Sequence, residues 1–118
     1  MLVPREAILL RIFLGEDDRH DHMPLYEAIV LKAREQHLAG ATVLRGPMGF
    51  GRSSHLHTAK ILRLSENLPV VVEIVDSEEK INAFLPALQG LMGSGLATVE
   101  KVQVLPYGAN ADKGKPET

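Results

Sequence analysis

The sequence predicts an α+β domain, a ferredoxin-like βαββαβ sandwich in which an antiparallel sheet carries two helices on one face. Three observations carry that expectation. The almost wholly apolar run over residues 7–13 (AILLRIF) is too short for a buried helix and suits a central strand. The β-branched run PVVVEIV at 69–75 reads as a second central strand. Two further segments repeat their apolar residues at helical spacing, one between those strands and one after them.

After the first strand, residues 15–23 (GEDDRHDHM) are polar and turn-rich, and Pro24 can open a helix, where its missing N–H costs nothing. Leu25, Ala28, Ile29 and Ala33 share one face of that helix, and Gly40 is its expected stop. Residues 41–45 (ATVLR) read as a strand, broken at 46–51 (GPMGFG) into a backbone-exposed connection. Residues 52–67 carry mixed signals, and KILRLS at 60–65 reads as a short strand or the arm of a hairpin. Following the strand at 69–75, Asp76 with Glu79 resembles a capping box for a second helix, along which Ile81, Phe84, Leu85 and Leu88 recur. Pro86 removes a hydrogen bond to the carbonyl of Asn82, so that helix is expected to bend or to break in two. GLMGSG at 90–95 is a second glycine-rich loop, and residues 96–105 form the last strand. Residues 1–107 then make one domain, and the small, polar residues 108–118 are expected to be a disordered tail.

Strand alternation places Ile8, Leu10 and Ile12 on one face and Leu9, Arg11 and Phe13 on the other. Glu73 has the same odd placement in its own strand, so if the two strands are neighbours, as in the ferredoxin-like order, Arg11 and Glu73 are expected to pair on the face away from the helices and close to the subunit contact. One small chain offers nothing to cover that face, and a homo-oligomer is the economical answer.

The composition narrows the function. Thirteen Lys and Arg against fifteen Asp and Glu give the 118 residues a net charge of −2 with no dense basic block, which argues against a nucleic-acid partner. With no cysteine, disulfides, thiolate nucleophiles and cysteine-ligated zinc are excluded. No apolar run approaches the ~20 residues that span a bilayer, and the N-terminus lacks a signal-peptide pattern, so a cytoplasmic protein without membrane insertion is expected.

Two groups of residues could carry chemistry. Closely spaced glycines at 46–52 (GPMGFGR) and 90–95 let backbone N–H groups converge on an anion, with Arg52 adding a bidentate cation, although glycines at such spacing more often simply make turns. His20 and His22 flank Asp21, and His55 and His57 would share a face of an extended segment; imidazoles so placed, with Asp17 and Asp18 nearby, can ligate a transition metal. Exposed loop histidines are the commoner outcome. Ser53, Ser54 and His55 look nucleophile-like, but neighbours in sequence are not a triad, and no enzyme activity is expected.

The successive stretches GATV at 40–43, GFGR at 49–52, VVVEIV at 70–75 and GLMGSG at 90–95 resemble the signatures of PII signalling proteins. A closer resemblance, over residues 7–104, is to the PII-like DUF190 family, through LYEAIV at 25–30, the long stretch 44–81 and FLPAL at 84–88. The resemblance implies a homotrimer that holds an adenine nucleotide, AMP, ADP or ATP, between subunits and signals through a flexible loop after the second strand. It makes Thr42 an adenine-side contact, Gly49, Gly51 and Arg52 a phosphate-facing edge, and Gly93 and Gly95 a second phosphate loop. It also implies a target, with a membrane transport protein for fluoride or bicarbonate as the class to ask about. Leu96 stands where PII proteins carry a lysine, and no pair of arginines follows residue 104, so one or two phosphates, or another anion, suit the site as well as three. No tyrosine occurs in 52–68, so uridylylation of that loop is not expected. The alternative is a trimeric metal-binding tolerance protein, similar to the copper-tolerance relatives of PII, with the loop histidines as ligands.

Overall fold

A computed structural model describes residues 3–50, 57–58 and 67–108. The chain runs β1 (Glu6–Gly15), β2 (Arg19–His20), β3 (Met23–Pro24), α1 (Leu25–Glu35), β4 (Ala41–Arg45), β5 (Met48–Gly49), β6 (His57–Thr58), β7 (Pro69–Asp76), α2 (Glu78–Met92) and β8 (Leu96–Gln103). The main sheet is antiparallel in the order β4-β7-β1-β8, with the two longest apolar runs at its centre. Two small ladders stand outside it, β2 with β3 and β5 with β6. The arm at 60–65 and the tail from 109 lie outside the described residues.

The core lies between one sheet face and the two helices. Leu10, Ile12, Val72 and Ile74 point into it and are fully buried, as alternation requires. From the helices come Leu25, Ile29 and Ala33 of α1 and Ile81, Phe84 and Leu88 of α2, each set a stripe at helical spacing. The expected assignment of faces in β1 therefore holds, with Ile8 packed against the core and Phe13 on the opposite face.

Both helix ends differ in detail from the sequence expectation. α1 stops at Glu35, before Gly40, because His37 takes a left-handed conformation (φ 62°). The His37 and Leu38 N–H groups donate back to the Arg34 and Ala33 carbonyls at 3.1 and 3.0 Å, closing a Schellman motif in which histidine replaces the usual glycine. At the start of α2 the cap is Ser77, whose Oγ accepts the Lys80 N–H at 3.1 Å. Asp76 is not the cap because it still belongs to β7 and its buried carboxylate is engaged elsewhere. It accepts the Ala39 N–H at 2.9 Å and the Ser77 N–H at 2.7 Å, tying the exit of α1 to the entry of α2.

α2 continues unbroken through Pro86 and through Gly90, so the second glycine loop is shorter than expected. Pro86 and Asn82 both lie on the exposed face, where water can satisfy the carbonyl that proline leaves unpaired. Phe84 and Leu88 meanwhile hold the inner face against the sheet.

Candidate functional site

The first glycine turn begins where β4 ends. The Gly46 N–H donates to the Pro69 carbonyl at 2.8 Å, and Met48 and Gly49 then pair with Thr58 and His57 in a two-residue ladder. The Pro69 ring would stand 3.1 Å from a Cβ on either Gly46 or Gly49, so the close approach of these segments uses the missing side chains. Gly51, Arg52 and His55 lie outside the described residues.

The second turn joins α2 to β8. Gly93 has φ 69°, a left-handed conformation in which a β-branched residue is strained. The Gly93 N–H donates to the Gln89 carbonyl at 3.3 Å and the Ser94 N–H to the Met92 carbonyl at 2.6 Å, so both are used within the turn. The last turn of α2 has no basic residue to offset the negative end of the helix dipole. Beside it, a shallow, mainly apolar cavity of about 220 Å³ opens among Leu85, Leu88, Met92, Leu96 and Ala97.

The register relates the two turns. Arg45 at the end of β4 lies opposite Val70, and Val70 lies opposite Leu14; Leu96 at the start of β8 lies opposite Phe13. Both glycine turns therefore stand at the same end of the sheet but on opposite edge strands, separated by three strand spacings, or about 14 Å. A single subunit does not bring Gly49 together with Gly93 and Gly95.

Thr42 is exposed on the open face, in a row that crosses the whole sheet: Thr42 opposite Glu73, Glu73 opposite Arg11, Arg11 opposite Thr98. The expected pair forms, with Arg11 Nε donating to Glu73 at 2.9 Å, and Nη1 also donates to Glu100 at 3.3 Å. The hydrogen bond to Glu73 is the main cause holding the guanidinium above its ordinary pKa. Alternation together with the ferredoxin-like strand order pointed to Glu73, whereas Glu100 could be found only with the β1–β8 register in hand.

Among the described residues, His20 and His22 gather no ligand set. His20 Nε2 lies 3.6 Å from the exposed Asp21 carboxylate, and the Asp18 carboxylate instead accepts the Gly15 N–H at 2.9 Å. Among the described residues, no three His, Asp or Glu side chains come close enough to hold a metal ion. Among the same residues, no helix is long and apolar enough to cross a membrane.

Comparison with known proteins places this geometry. The family described as "Uncharacterized ACR, COG1993" (DUF190) matches residues 7–104. A UPF0166 protein of Aquifex aeolicus is 43% identical over 97 residues, which is 82% of this chain and 91% of the relative. Among solved structures, CPII, a nitrogen regulatory PII-like protein from Thiomonas intermedia K12 bound to ADP, AMP and bicarbonate, superposes with a TM-score of 0.64 at 19% identity, covering 84% of this chain and 88% of that one. The divalent cation tolerance protein CutA1 of Thermus thermophilus gives a TM-score of 0.57 at 8% identity, covering 92% of each chain. At these identities the structural likenesses establish a shared fold.

Proposed function

The chain belongs to the DUF190 family, and on that premise we propose that it is a PII-like regulatory protein, a homotrimer that binds an adenine nucleotide between subunits. One observation carries the reading: the two glycine turns share one end of the sheet but occupy opposite edges, so a site using both is complete only where two subunits meet. A ring in which the β8 edge of one copy meets the β4 edge of the next sets Gly93 and Gly95 beside the neighbour's β4 edge, which carries Thr42 and leads to Gly49; the family resemblance adds Gly51 and Arg52 to that side of the site. Thr42 then contacts the base, and the glycines and Arg52 face the phosphates. The ADP and AMP held by the similarly folded CPII support this choice of ligand.

Charge favours one or two phosphates over three. The second turn has Leu96 rather than a cation, a helix C-terminus behind it and two N–H groups already used. Nucleotide occupancy biases the connection after β4 between arrangements, and that connection grips a target, for which a membrane transport protein is the class we infer. The nucleotide acts as a signal, and no chemical step is required of the protein.

Calorimetric titration with AMP, ADP and ATP tests the reading. We expect ADP or AMP to bind, Arg52→Ala to weaken binding by about 1.5–3 kcal/mol through loss of a charge-assisted hydrogen bond, and Gly93→Val to weaken it at least as much. Unchanged affinity in both variants overturns the site. Tight zinc binding that is lost in His55→Ala and His57→Ala, with no nucleotide bound, would favour the metal-tolerance alternative instead.

A further inference from the structure

The segment that returns from the connection after β4 is fastened by three successive groups, two to the turn that follows β1 and one to the start of the first glycine turn. Asn67 Oδ1 accepts the Asp17 N–H at 2.7 Å, the Leu68 carbonyl accepts the Glu16 N–H at 2.8 Å, and the Pro69 carbonyl accepts the Gly46 N–H at 2.8 Å. The outgoing strand is held at the same place, since the Arg45 guanidinium forms an ion pair with Glu16. The turn that receives them is itself closed. The Asp18 carboxylate accepts the Gly15 N–H, the Asp18 N–H donates to the Gly15 carbonyl at 3.1 Å, and the Asp18 carbonyl accepts the first N–H of α1 at 2.7 Å.

Gly15 is the complement of Asn67. A Cβ there would stand 2.7 Å from Asn67 Oδ1 and 2.8 Å from Nδ2, so the amide occupies the space that the glycine leaves open. From this seat the chain runs through Leu68 to Pro69, whose ring packs on Gly46 and Gly49. A continuous path thus joins the 15–18 turn to the first glycine turn. Asn67 gives this path a side-chain hydrogen bond to the turn, and Leu68 and Pro69 continue it through their backbone carbonyls.

We propose that Asn67, seated on Gly15, is a positioning residue that sets the place of the Gly46–Gly49 turn and so tunes nucleotide binding without touching the nucleotide. The proposal deepens the functional reading above and rests on it for the ligand. Its structural half concerns only the free protein.

The test combines amide hydrogen exchange of the free protein with ADP calorimetry, for Asn67→Ala, Gly15→Ala and the double variant. In Asn67→Ala the Glu16, Asp17 and Gly46 amides should exchange at least about tenfold faster, while Val72 and Ile74 stay protected as in the wild type. ADP affinity should fall at least about fivefold. Gly15→Ala expels the Asn67 amide and should reproduce both effects. The double variant should be no worse than either single one, because both remove the same seat. Unchanged exchange at Gly46 in Asn67→Ala, or effects that add in the double variant, would overturn the seat. Fast exchange at Gly46 with full ADP affinity would overturn its role in binding. A wild type that binds no ADP removes the functional reading and with it the tuning role, while exchange at Gly46 still decides whether Asn67 places the turn.

Discussion

The two faces of the central sheet are made by the same strands and end very differently. Toward the helices, Leu10, Ile12, Val72 and Ile74 are fully buried among Ile29, Ile81 and Phe84. On the open face the same strands carry an apolar row, Leu44–Val71–Phe13–Leu96, beside the polar row Thr42–Glu73–Arg11–Thr98. Leu44, Phe13 and Leu96 remain 48%, 38% and 55% exposed. The difference teaches that alternation alone does not make one side core and the other solvent. A contiguous apolar row next to a cation already satisfied by two carboxylates suits the cover that the proposed trimer would supply, because little further charge would have to be stripped of water.

Substitutions on the two faces should separate these roles. The largest loss of stability is expected from Phe84→Ala on the helix side, about 3–5 kcal/mol from lost burial plus the cavity left behind. That loss should be independent of protein concentration in urea unfolding; a concentration-dependent loss would place Phe84 in an interface. Next, Asp76→Ala removes the acceptor of two N–H groups at the junction of α1 and α2. It should cost about 1.5–3 kcal/mol, read as a shifted urea midpoint with unchanged slope.

Phe13→Asp probes the open face. Circular dichroism should be retained while sedimentation shows the proposed trimer dissociating, with a dissociation constant raised at least about tenfold, equivalent to ~1.4 kcal/mol. A wild-type chain that sediments as a monomer at all concentrations would sink the comparison. Smallest is the coupling between Arg11 and Glu73. A double-mutant cycle with Arg11→Met and Glu73→Gln should give a coupling smaller than any of the preceding effects if the face is open to water, and a larger one if assembly covers it.

Much of the fold was legible because short-range signals and long-range packing agreed. The β-branched run of β7, the apolar run of β1 and the helical stripes of α1 and α2 each read the same way locally and in the core. Misreadings arose where a local signal was outbid. Gly40 and Gly90 looked like helix punctuation, yet His37 ends α1, and α2 passes Gly90 because Phe84 and Leu88 anchor it to the sheet. Asp76 looked like a cap but lies buried at the end of a strand, with its carboxylate committed to Ala39 from another part of the chain. The candidate site was legible as residue types. That Gly49 and Gly93 lie on opposite edges was not, since edge position depends on strand order, which no local pattern encodes.

By itself the sequence determined the six main elements and the inward face of each central strand, because side-chain alternation and helical periodicity are properties of a few consecutive residues; the Arg11–Glu73 pair followed only once the ferredoxin-like strand order was assumed. Only the tertiary structure decided the rest. It placed Glu100 as a second partner of Arg11, seated Asn67 on Gly15, and set the two glycine turns at one end of the sheet on opposite edges. Each of these joins residues dozens of positions apart, and their meeting is fixed by strand order and register rather than by anything their neighbours in the chain express.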